Sequence, residues 1–180
     1  DGSGISYTVS TSNDSVSGSV TVDDPSGPFY QVDGTVGCPG VSPGNTFTLN
    51  GDTYTAADNS NDESLISNDK RMCTTHVTDM SGGFDDPYVS SGYGNVSSVS
   101  SWDTSNVTDM SSMFDGANSF NKNLDNWNTS NVEDMSAMFY NADSFNGSIN
   151  DWNTSNVEYM SDMFNGANSF NKNLDNWNTS

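Results

Sequence analysis

The sequence predicts a repeat solenoid, with one short strand and one short helix per 25-residue coil, preceded by a small all-β module. Three observations carry this expectation. Trp102, Trp127, Trp152 and Trp177 stand 25 residues apart, and each opens a nearly identical block: WDTSNVTDMSSMF, WNTSNVEDMSAMF, WNTSNVEYMSDMF and a final WNTS. A block this short cannot enclose a core alone and has to bury a stripe shared with its neighbours. Before the repeat, apolar and polar residues alternate between Gly- and Pro-rich turns, as in a small antiparallel sheet. The expected division is a β module over 1–45, a cap with an irregular first coil over 46–101, and regular repeats over 102–180.

In the first part, Ile5 to Val9 and Val16 to Val22 alternate with period two, and Phe29 to Val36 and Phe47 to Tyr54 are further strand candidates. Asn50-Gly51 between the last strand's halves predicts a tight hairpin, because both residues tolerate positive φ. From Asp58 the chain turns polar and then briefly apolar at Leu65-Ile66, which suggests a short helix. CTTHVTDMSGGF, Cys73 to Phe84, is a degenerate first copy of the repeat. Val77, Met80 and Phe84 match Val107, Met110 and Phe114 at a spacing of 30, so this coil carries five extra residues.

Inside each regular block, Met110, Met113, Phe114 and Ala117 fall at i, i+3, i+4 and i+7, the spacing of one helical face. The same slots hold Met135, Met138, Phe139 and Ala142, then Met160, Met163, Phe164 and Ala167. Gly116, Asn141 and Gly166 occupy a slot suited to a left-handed residue that ends the helix. The expected core ladders are Trp102, Trp127 and Trp152; Val107, Val132 and Val157; Met110, Met135 and Met160; and Phe114, Phe139 and Phe164. Asn106, Asn131 and Asn156 form an asparagine ladder able to satisfy backbone groups at a corner. Asp109 and Asp134 give way to Tyr159, so no unbroken carboxylate column runs up that side.

The 180 residues include 24 acidic and four basic side chains, a formal charge of −20. Such a surface repels nucleic acid, whose binding depends on Lys and Arg replacing counterions. No apolar run approaches the length of a membrane span, so no transmembrane segment is expected. The opening DGSGISYTV has no signal-peptide pattern, as in a mature form whose leader has been removed, and the last coil stops four residues in, as if the repeats continue. Cys38 and Cys73 are the only cysteines; as a bridge they would suit an oxidising, extracellular setting.

Catalysis finds little footing: His76 is the sole histidine, and no nucleophile–base arrangement assembles around it. No cofactor is expected, with calcium the one ion to weigh. Asp58, Ser60, Asp62 and Asp69 sit at positions 1, 3, 5 and 12 of an EF-hand-like loop. Glu63, however, stands where that loop needs glycine, and Asp69 replaces its bidentate Glu. A solvated acidic loop is therefore the favoured reading. The tryptophans could form a sugar-stacking platform, but their register with Met and Phe favours core packing. The column Thr104, Thr129 and Thr154, beside Ser105, Ser130 and Ser155, is the candidate ligand-binding face, a flat hydroxyl ladder for glycans or ordered water.

From about Phe47 onward the chain resembles the BspA-like leucine-rich-repeat surface proteins. The resemblance rests on the lead-in Thr53-Tyr54-Thr55, the CTTHVTDMS segment and the units W-[DN]-T-S-N-V-x-x-M-S-x-M-F with S-F-N downstream. It implies a leucine-rich-repeat-like solenoid on an extracellular or cell-surface protein that adheres to other surface proteins or glycans, with no catalytic residue. The alternative is a structural subunit or decoration of a larger extracellular assembly.

Overall fold

The computed structural model describes residues 5–7, 20–22, 27–31, 35–60, 71–82 and 99–179. Among these are seven short strands and no α-helix. Strands β1 (Ile5–Tyr7) and β2 (Val20–Val22) pair antiparallel, as do β3 (Phe29–Tyr30) and β4 (Val36–Gly37). A third sheet has the order β5-β6-β7, from β5 (Thr46–Leu49), β6 (Asp52–Asp58) and β7 (Met72–His76). β5 and β6 are antiparallel, while β7 joins β6 in parallel.

The hairpin at Asn50-Gly51 forms as its residue types dictate. Leu49 faces Asp52 across a two-residue loop, with φ of 52° at Asn50 and 90° at Gly51. The segment Phe29 to Val36 differs from the single strand expected. It folds back on itself as β3 and β4, closed by the Gln31 N–H donating to the Thr35 carbonyl at 2.8 Å. Cys38 and Cys73 are joined by a disulfide with a Cα–Cα distance of 6.3 Å. The bridge lies in a small core of Val36, Cys38, Tyr54, Ala56 and Cys73, against which Val41, Phe47 and Leu49 pack. Residues on both sides of position 45 thus share one core. The helix suggested near Leu65-Ile66 and the five-residue insertion before Val99 lie outside the described residues.

The expectation of a leucine-rich-repeat-like solenoid with a strand and a helix per coil is overturned. After a 3₁₀ turn at Val99–Ser101, residues 102–179 contain no helix and no continuous strand, only turns tied to their neighbours by single parallel β-bridges. Those bridges run Asp79 to Asp109, Asp109 to Asp134 and Asp134 to Tyr159, all parallel. Among the described residues, strand pairing into sheets is confined to the front of the chain, up to His76.

The hydrogen bonds explain why the helical spacing does not produce a helix. The N–H groups of Met110, Ser112, Phe114 and Gly116 donate to the carbonyls of Asp134, Ser136, Met138 and Tyr140 in the next layer, at 2.8–2.9 Å. The N–H groups between them, of Met113, Asp115 and Ala117, close tight turns onto Met110, Ser112 and Phe114 at 3.1–3.3 Å. Alternate donors therefore leave the segment, whereas an α-helix keeps every one within it. Two left-handed columns enforce the pattern. Gly116, Asn141 and Gly166 have φ of 68°, 53° and 80°, the backbone anticipated for that slot. Gly82, Ser112, Ala137 and Asp162 form the second, at 61°, 55°, 54° and 56°. A left-handed residue two positions after Met110 breaks any helix at its start.

The side chains nevertheless stack in the register that the repeat dictates. Trp102, Trp127, Trp152 and Trp177 lie nearly parallel with centroids 6.1–6.2 Å apart. Phe114, Phe139 and Phe164 follow at 5.3 and 5.7 Å, and Phe120, Phe145 and Phe170 at 5.8 and 5.6 Å. Trp102, Trp127, Trp152, Val107, Val132, Met110, Met135, Phe114 and Phe139 are buried, whereas Val157, Met160 and Phe164 are half-buried. The core placement of the tryptophans follows from polarity as well as shape. The indole N–H groups of Trp127, Trp152 and Trp177 donate to the carbonyls of Val99, Leu124 and Ile149 at 2.8–3.0 Å. Ala57, Met72, Val77 and Met80 extend this core to the third sheet.

Candidate binding face

The threonine column proposed from sequence as a ligand surface is part of the interior. Thr104, Thr129 and Thr154 are 1%, 1% and 3% exposed. Their hydroxyls donate to the carbonyls of Asn128, Asn153 and Asn178 at 3.0–3.1 Å. Each buried hydroxyl thus bonds a backbone acceptor of the next layer, so the threonines tie layers together and are out of a ligand's reach. Thr74 repeats the arrangement one layer earlier, donating to the Asp103 carbonyl at 3.0 Å. Ser105, Ser130 and Ser155 lie nearer the surface: the first two are half-buried and the third is exposed. Their backbone N–H groups are held by the side chains of Asp103, Asn128 and Asn153.

Asp103 marks the junction between sheet and repeat. Its carboxylate is buried and accepts from the Thr75 hydroxyl on β7 at 3.0 Å and from the Ser105 hydroxyl at 2.6 Å. The following layers have Asn128 and Asn153 there, both exposed.

The next two columns create a concave surface. Asn106, Asn131 and Asn156 are exposed, and each Nδ2 donates to a carbonyl of the preceding layer, on Thr75, Ser105 and Ser130, at 2.8, 2.6 and 2.6 Å. The asparagine ladder anticipated from sequence is thus present, on the rim of the protein. Two residues further along each layer stand Thr108, Glu133 and Glu158. These six residues line a groove of about 310 Å³ that crosses three layers. Val107, Val132 and Val157, between the two columns, point to the core. The alternation N-V-T, N-V-E, N-V-E was visible in the sequence. It is a two-residue period whose outer members share one face.

Among the described residues, the remaining candidates are not brought together into a site. His76 is held by the Val41 carbonyl, 3.0 Å from Nε2. Asp58 accepts from the backbone and hydroxyl of Ser60, while Asp62 and Asp69 lie outside the described residues. Among the described residues, no three His, Cys, Asp or Glu side chains are grouped to hold a metal ion, and no helix is long and apolar enough to cross a membrane. Phe29 and Tyr30 are exposed aromatics at the front sheet. The Tyr30 and Tyr54 hydroxyls meet at 3.1 Å; burial, and then this contact, push the Tyr54 phenol up to about 12.

A family model described as "Mycoplasma protein of unknown function, DUF285" matches residues 78–180. No curated protein and no solved structure gives a significant match. The match begins within the irregular first copy, two residues before Met80, and takes in the regular layers from Trp102 onward and the whole groove. Since it spans more than half of the sequence, the chain belongs to the DUF285 family.

Proposed function

We propose that the protein is a non-catalytic extracellular surface protein that binds other proteins or glycans through the exposed side of its stacked layers. The observation that carries this reading is the groove lined by Asn106, Thr108, Asn131, Glu133, Asn156 and Glu158. It is concave and polar, and the layer-to-layer bonds hold it rigid, so little ordering entropy is lost when a partner binds. The disulfide between Cys38 and Cys73 supports an oxidising location. The resemblance to BspA-like surface proteins points to the same setting.

The test is a binding screen of the full chain against immobilised glycans and extracellular matrix proteins, repeated with Asn131→Trp, which fills the middle of the groove. The expected result is a binder whose signal falls at least tenfold in the variant, with thermal unfolding showing that the fold persists. A binder held equally well by the variant would place the contact elsewhere.

A further inference from the structure

The lining of the groove favours one kind of partner. Most of its donors are used inside the protein. The Asn106, Asn131 and Asn156 amides each spend an N–H on a backbone carbonyl, while their Oδ1 atoms accept no bond from the described residues. The backbone N–H groups of Thr108, Glu133 and Glu158 donate to Thr78, Thr108 and Glu133 at 2.8 Å. The Thr108 hydroxyl donates to the Thr78 carbonyl at 3.2 Å. What remains for a partner is three amide oxygens, two carboxylates and the second N–H of each amide, so acceptors outnumber donors and all the formal charge is negative.

The charge is also uncompensated. The ion pair among the described residues joins Arg71 to Asp52, neither of which lines the groove, and no Lys or Arg lines it. The whole chain carries −20. A partner suited to this surface supplies N–H donors and positive charge together, which is the chemistry of Lys and Arg. A neutral sugar matches less well, since no aromatic ring lines the groove for a sugar face to stack on.

Spacing adds a further constraint. Glu133 and Glu158 sit one layer apart, joined by the Glu158 N–H donating to the Glu133 carbonyl at 2.8 Å, which sets their backbones about 4.8 Å apart, a gap the carboxylate arms can widen by splaying. In an extended peptide, side chains on one face recur every second residue, about 6.6 Å apart. We infer that the groove docks an extended basic segment of a partner protein, with Lys or Arg at alternate positions meeting Glu133 and Glu158. This rests on the reading that the groove is the binding face, and names the partner's chemistry.

The experiment titrates the full chain, at physiological salt, with two synthetic peptides of equal charge, Lys-Ser-Lys-Ser-Lys-Ser and Lys-Lys-Lys-Ser-Ser-Ser. The alternating peptide should bind several-fold tighter. Glu133→Gln with Glu158→Gln should weaken it at least tenfold, while Asp151→Asn with Asp175→Asn, an equal charge change outside the groove, should weaken it less than twofold. Equal losses in the two double variants, equal affinity for the two peptides, or no binding would overturn the inference. Should Asn131→Trp abolish capture of a glycan or neutral protein that the Glu→Gln pair leaves intact, the binding face stands and its cationic partner falls. Should Asn131→Trp leave that capture unchanged, the face itself is wrong.

Discussion

The front sheets and the stacked layers hold together by different means, although both are built from a chain dominated by small polar residues. The front core around the third sheet has five buried members, two of which are the disulfide cysteines. Its apolar surface is small, and the covalent link takes up part of the stabilisation. The stack has no such link. It relies on repetition: each layer places Trp, Phe, Met and Val over the same residues of the next, and each satisfies its polar backbone with its neighbour's groups. The comparison shows how a sequence with 32% hydrophobic residues can be well packed in one part and depend on a staple in another.

The largest test of this contrast is Trp127→Ala. Trp127 is 3% exposed, lies between Trp102 and Trp152, and bonds through its indole to Val99. Its loss should cost about 3–5 kcal/mol. Hydrogen exchange should show protection falling across the layers on both sides, with β5 and β6 less affected. Loss confined to one layer would mean that the layers do not stabilise one another.

Reduction of the disulfide, or Cys38→Ser with Cys73→Ser, should act the other way round. The bridge closes a separation of 35 residues, worth about 3–4 kcal/mol in the chain-entropy model. Amides of β4 to β7 should lose protection while the near-ultraviolet signal of the tryptophan stack persists. Simultaneous melting of both regions would show that the shared contacts of Ala57 and Met72 couple them fully.

Within the stack, two glycines should separate steric from backbone cost. A Cβ at Gly147 would collide with the Lys122 carbonyl, which belongs to the neighbouring backbone and cannot swing away. Gly147→Ala should therefore cost about 1–3 kcal/mol by overpacking. Gly116 has open space around it but a φ of 68°, so Gly116→Ala should cost only about 1–2 kcal/mol, from the left-handed backbone. Thermal unfolding of the two variants checks the order.

The smallest effect should be a gain. Ala137 holds a φ of 54° in the column that begins with Gly82. Ala137→Gly relieves the left-handed strain but frees the unfolded chain, leaving a net stabilisation of about 0.5 kcal/mol. A melting temperature raised by a degree or two would confirm it, and a lowered one would show that the alanine methyl contributes packing that outweighs the strain.

Much of this was legible in the residues. The 25-residue period identified which side chains stack, the two cysteines suggested the bridge, and Asn50-Gly51 specified its hairpin. Gly116, Asn141 and Gly166 signalled a left-handed slot because two of the three are glycine. The companion slot has no such signature, because Ser112, Ala137 and Asp162 are ordinary as residue types and only Gly82 in the irregular first copy hints at it. Without that slot, the spacing of Met110, Met113, Phe114 and Ala117 is that of a helix. Thr104, Thr129 and Thr154 read as a flat hydroxyl ladder because an exact repeat lines up its residues in columns. They are inside because each hydroxyl has a carbonyl of the next layer to bond.

The sequence by itself determined register: identical residues at identical intervals can bury a common stripe only by lying over one another. The tertiary structure decided where the backbone donors go. A turn of helix and a turn that lends alternate N–H groups to its neighbour place Met, Met, Phe and Ala at the same spacing. The choice between them depends on carbonyls that come within reach only once the adjacent layer has docked. The same docking turned a column of threonines inward and left Asn, Thr and Glu to form the outer groove.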